Sequence, residues 1–167
     1  MPSLTVWCFP TPLGADTGEV GLKRLEEQDA LVVHDAVALI WMPGAPEPTI
    51  RHLRHDAVRA GVTGAFWGSV VGMLALSPVA GAVVGSAAGS LVARLRRGVG
   101  DDFVSQVGEK LTPGTSALFV LSSGARAELV VPAIAAMEAT LLHAELGDDV
   151  DPELRALAEP AGDDPAT

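Results

Sequence analysis

His52, His55 and Asp56 lie within five positions of one another, and a helix beginning near His52 would bring His52 and Asp56 onto one face as an i, i+4 pair. That is half of a metal site. No third ligand follows at a suitable spacing, and Arg51, Arg54 and Arg59 around the pair repel a cation, so no bound metal is expected. The group reads instead as a basic collar that gains charge as its histidines protonate near their ordinary pKa of about 6.5. His34 with Asp35, and His143 further on, fall in β-rich runs and are expected to be structural. Cys8 has no basic neighbour in sequence and reads as a small core residue rather than a nucleophile. As the single cysteine it excludes an intramolecular disulfide and any multi-cysteine metal site. No G-x-S-x-G or H-E-x-x-H motif occurs, and the glycine repeats lack the lysine and the strand-turn-helix setting of a phosphate loop. The expectation is a chain with no catalytic residue and no cofactor, hence not an enzyme.

The elements that hold these residues follow from periodicity. Residues 4–9 form a short apolar run ended by Pro10, Pro12 and Gly14, which predicts a strand with Leu4, Val6 and Cys8 on one face and Thr5, Trp7 and Phe9 on the other. From 15 to 28, positions 15, 18, 22 and 25 are apolar or small, while Asp16, Glu19, Lys23, Glu26 and Glu27 take the opposite side of a predicted helix. Asp29 breaks it. A β-rich run over 30–42 follows, with Trp41 near its end, and stops at a proline cluster over 43–48.

After a gap of about seventy residues the same grammar returns. Pro113 and Gly114 make a turn, 115–121 reads as a strand suited to a central position, and Ser122, Ser123 and Gly124 end it. Ala127, Val130, Ile134 and Met137 give a helical stripe that includes Pro132. A last strand is predicted over 140–146. The core is therefore β-α-β, insertion, β-α-β, an α+β fold of the ferredoxin-like split βαβ arrangement with the runs at 4–9 and 115–121 in its two central positions. With both helices on one side, the other sheet face is left for a partner, and Thr5, Trp7 and Phe9 line either that face or the helix-covered core.

The insertion carries the most specific signal. Residues 61–93 contain no charge, and Gly64, Gly68 and Gly72 repeat every four residues with Gly61 just upstream; Gly81, Gly85 and Gly89 repeat the spacing beyond Ser77 and Pro78. Glycine at every fourth position lines one side of a helix and lets another helix backbone approach closely. Each glycine inside a helix costs up to about 1 kcal/mol against alanine, which only close packing offsets. The reading is a hairpin of two glycine-zipper helices whose packing interface is Gly61, Gly64, Gly68, Gly72, Gly81, Gly85 and Gly89. Its arms, 61–76 and 79–93, would be ~24 and ~22 Å long as helices, against a bilayer hydrocarbon core of ~30 Å.

The chain carries a net charge of −10, but residues 49–99 hold six arginines against Asp56 alone, so the remainder carries −15. Such an acidic total argues against nucleic acid as a partner. Arg51, Arg54 and Arg59 precede the hairpin and Arg94, Arg96 and Arg97 follow it, a placement suited to anionic lipid headgroups on the cytoplasmic side. Residues 148–167 are rich in Asp, Glu and Pro and read as a mostly disordered acidic tail. The N-terminus lacks the basic n-region of a secretory signal. The expected organisation is a first half-domain over 1–48, the inserted hairpin with its basic flanks over 49–100, a linking helix and second half-domain over 101–147, and the tail.

The opening L-T-V-W, the tryptophan of the second β run, the G-A-F-W-G of the hairpin, Asp101, Asp102 and Phe103 as a helix start, and T-P-G-T-S-A-L-F at 112–119 together resemble an uncharacterised bacterial domain family of small glycine-zipper proteins usually described as membrane proteins. The resemblance spans roughly 4–146. It implies a bacterial protein of unknown function without known catalytic residues, and adds no chemistry. The combined expectation is a non-enzymatic, membrane-associated protein on the cytoplasmic side of the cell membrane that self-assembles through its hairpin. The alternative is a soluble cytoplasmic homo-oligomer with the hairpins buried in its core. No small-molecule substrate is indicated.

Overall fold

The computed structural model describes residues 3–53, 67 and 99–145. In chain order these form β1 (Ser3–Phe9), α1 (Gly14–Glu27), β2 (Val32–Ile40), β3 (Thr49–His52), α2 (Asp101–Lys110), β4 (Ser116–Ser123), α3 (Ala127–Ala136) and β5 (Thr140–Glu145). The strands make one antiparallel sheet in the order β3-β2-β4-β1-β5. The class is α+β, and the two runs expected at the centre, β1 and β4, both have a strand on either side. Every residue of β4 from Ser116 to Ser122 is buried, which is why that run is continuously apolar rather than alternating.

The alternation expected along β1 holds. Leu4, Val6 and Cys8 join one hydrophobic cluster, and Trp7 and Phe9 join another on the opposite face. Helix α1 buries Ala15, Gly18, Leu22 and Leu25, the stripe foreseen from spacing, and lies against β1, β2 and β4. Helix α3 buries Val130 and Ile134 beside it and packs on α1 and β5. Trp7 and Phe9 therefore form the floor beneath these helices. Phe9 brings α1 unusually close: a Cβ at Gly18 would stand 2.6 Å from its ring, so only glycine fits there.

The second face is not left open. Phe103, Val107 and Leu111, from α2 and the residue after it, cover it with Val99 and Trp67, so Leu4, Val6, Val37, Leu39, Phe119 and Leu121 are buried. The expectation of a one-sided sheet fails because the linking helix α2, together with Trp67 and Val99 of the insertion, packs on that face. A further difference lies at 49–52, assigned above to the flank of the hairpin. These residues form edge strand β3, so His52 ends a strand and does not begin a helix. The hairpin, apart from Trp67, and the acidic tail lie outside the described residues.

Candidate functional site

The junction between sheet and insertion is built around a defect in β2. Leu31 and Val33 belong to the face covered by α1, and so do Ala36 and Ala38, an odd-to-even change that strict alternation forbids. The ladder with β4 shifts between Val33 and Asp35, a bulge that absorbs His34 as an extra residue. Beyond it Asp35 is in phase with Val37 and Leu39, on the face that carries Phe119 and Trp67.

A carboxylate is thereby set into an apolar layer. Asp35 is only 8% exposed, and both its oxygens accept hydrogen bonds: Oδ1 from the Ala36 backbone N–H at 2.8 Å, Oδ2 from the Trp67 indole Nε1–H at 2.7 Å. Trp67 is helical and 1% exposed, and its ring meets Phe119 edge-on, with centroids 6.4 Å apart and planes at 71°. An aromatic pair of this geometry contributes about 0.5–1.5 kcal/mol beyond the area it buries. Sequence reasoning placed Asp35 in a β run and Trp67 in the hairpin without joining them. The available signal was a carboxylate in the middle of an apolar strand, which demands a donor from elsewhere.

Arg51, His34 and Cys8 are the remaining candidates with partners or neighbours in the described structure. Arg51, assigned to the lipid-facing collar, lies on β3 and donates from Nη2 to Asp16 Oδ1 at 2.7 Å and Glu19 Oε2 at 3.1 Å, tying the edge strand to α1. The other five arginines of the collar, His55, Asp56 and the seven zipper glycines lie outside the described residues. His34 Nε2 and Ser123 Oγ are 2.8 Å apart across the β2–β4 pair. This contact ties β2 to β4. Cys8 is buried in the second-face cluster, and burial pushes its thiol up to about 11, with Lys110 pulling the other way. It is a poor nucleophile.

An open depression of about 420 Å³ lies where α2 begins, between Asp101 and Asp102 on one side and His143 of β5 on the other. The two carboxylates sit in the first turn of a helix whose N-cap, Gly100, provides no side-chain cap, and there they complement the helix dipole. Among the described residues no group of three His, Cys, Asp or Glu side chains could hold a metal ion. No helix among them is long and apolar enough to cross a membrane.

Residues 61–159 match a family described as a protein of unknown function (DUF1269). The match covers more than half of the chain. The chain belongs to the DUF1269 family. Comparisons with curated proteins and with solved structures gave no match. The DUF1269 match begins at Gly61, where the glycine series begins, and takes in α2, β4, α3 and β5. The resemblance read from the sequence, to an uncharacterised domain family, spans roughly 4–146.

Proposed function

We propose that this DUF1269 protein is a non-enzymatic assembly protein, in which a ferredoxin-like base carries a glycine-zipper hairpin and copies associate through their hairpins. The strand order β2-β4-β1-β5, with β3 added at the β2 edge, supports the ferredoxin-like base. The observation that carries the functional reading is the burial of Trp67. This residue sits in the middle of the first glycine series, between Gly64 and Gly68, yet its ring is part of the core of the base.

That anchoring favours one use of the hairpin. Between Trp67 and Ser77 nine residues remain, ~14 Å as a helix, less than half of a ~30 Å hydrocarbon core. An arm held at Trp67 is too short to span a bilayer while the base stays in water. Close helix packing, with the second arm and with the hairpins of other copies, is what remains to offset the cost of so many glycines. Sedimentation velocity over a range of concentrations tests this: the full-length chain should sediment well above its 17.1 kDa monomer mass. A monomer at every concentration would sink the proposal.

The second reading, membrane association, is favoured by the arginines on both flanks of the uncharged hairpin. Co-sedimentation with liposomes separates the two. A soluble assembly stays in the supernatant with neutral and anionic lipid alike. A surface-bound protein pellets with anionic lipid and is released by high salt, because the field of its basic residues decays over a Debye length of about 10 Å at 0.1 M salt. An inserted hairpin resists the salt wash.

A further inference from the structure

We propose that Asp35 aims the glycine zipper: its buried carboxylate recognises the indole N–H of Trp67 and so fixes the register and rotation at which the first arm meets the sheet. The inference rests on the self-assembly reading for its purpose, but the contact itself is observed. One carboxylate oxygen is occupied by Ala36 N–H of the same strand, and the other by Trp67. A carboxylate oxygen this deeply buried must have a donor or be driven back toward water.

The sequence around Trp67 offers a donor in one register. Its neighbours Phe66 and Gly68 carry no side-chain donor, so a slip of one residue either way leaves Oδ2 unsatisfied. One turn forward brings Val71, again without a donor. One turn back brings Thr63, whose hydroxyl is a donor but whose short side chain leaves the space beside Phe119 unfilled. A buried polar group used in this way specifies register more than it adds stability. Phe119 alone would accept any large apolar residue.

Rotation follows from register. Trp67 is helical, and at 100° per residue a helix continued through it places Gly64, Gly68 and Gly72 about 60° to 140° round from Trp67. In such a helix the glycine stripe would lie to one side of the sheet-facing residue and be available for close helix packing. Asp35 is thus a positioning residue for an interface it does not touch.

The test uses the full-length ¹⁵N-labelled protein and the exchange of its three indole N–H protons with water, Trp67 being assigned by the signal lost in Trp67→Phe. Asp35→Ala should speed exchange at Trp67 by about tenfold or more while Trp7, beneath the other layer of helices, stays within about twofold. Asp35→Asn, which keeps an oxygen acceptor, should restore slow exchange. In Trp67→Phe, which keeps a ring but has no N–H, exchange of the Ala36 amide should also rise, since its acceptor is drawn toward water. Unchanged Trp67 exchange in Asp35→Ala, equal acceleration at Trp7, or unchanged Ala36 protection in Trp67→Phe each overturns the role assigned to Asp35. Sedimentation of the same samples keeps the two ideas apart: a monomeric wild type defeats self-assembly, whereas the exchange rates judge Asp35 alone.

Discussion

Ser116 joins two parts of the chain a hundred residues apart. Its Oγ accepts from the Ala15 N–H at 2.9 Å and donates to the Thr11 carbonyl at 2.7 Å, so a side chain of β4 caps the start of α1, where no local side chain does so. Ser116→Ala would take the acceptor from the Ala15 N–H, while the Thr11 carbonyl keeps its bond from the Gly14 N–H at 3.2 Å, and chemical denaturation should show a loss of about 1–3 kcal/mol. Cys8 makes a second prediction at this scale. Its folded pKa lies near 11 against an ordinary value of 9.0, so as pH rises past 9 the unfolded chain loses the thiol proton while the folded chain keeps it, and stability falls until pH reaches about 11. Below pH 9 this contribution is fully present. Denaturation of wild type and Cys8→Ala over pH 8–11 should show a decline in wild type that the variant lacks; parallel curves would contradict the burial argument. Cys8 as a core residue was legible from its lack of basic neighbours. The Ser116 cap was not, because it joins residues that only the strand order brings together.

The elements were legible where period and punctuation agreed. Positions 15, 18, 22 and 25 marked the buried face of α1, and the turn at Pro113 and Gly114 marked the approach to β4, Gly114 adopting φ 88°. Two features of β2 escaped. Its bulge changes the alternation at His34 without changing composition, and its partner β3 is four residues long, too short for a periodic signal beside so many prolines. The end of α1 shows how a helix can stop on an unfavourable residue: Asp29 takes φ 51°, and the next amide, of Ala30, reaches back to Leu25 O at 2.8 Å. This is the closing bond of a Schellman motif, normally built on glycine. Asp29→Gly relieves the left-handed strain at some entropic cost, and its net effect should be a gain of up to about 1 kcal/mol in unfolding free energy. A loss would mean that the Asp29 side chain contributes more than its backbone costs.

For the whole molecule, the decisive feature is that both faces of the sheet are occupied. The sequence predicts a one-sided β-α-β, β-α-β unit and a linking helix from Asp101, without placing that helix on the sheet. Phe103, Val107 and Leu111 stand at i, i+4 and i+8, a stripe as regular as that of α1, and it cannot be buried against a sheet already full on its first face. Trp67, from within the insertion, and Val99, just before α2, both join the core of this second face. The proposed packing of hairpins would start from this anchored residue, Trp67. If copies assemble as proposed, Asp35→Ala and a large residue at Gly68 should disturb the assembly by separate routes.

The central claim, association through the glycine faces, is tested most directly by the solution mass of glycine variants. Light scattering on the full-length protein should show an assembly for wild type and for Ser86→Ala, and a clear drop in mass for Gly68→Leu and Gly85→Leu, because a leucine on the zipper face holds the helix backbones apart. The folded base should persist in all four, as judged by cooperative unfolding. Wild-type mass retained by both folded glycine variants would contradict the account.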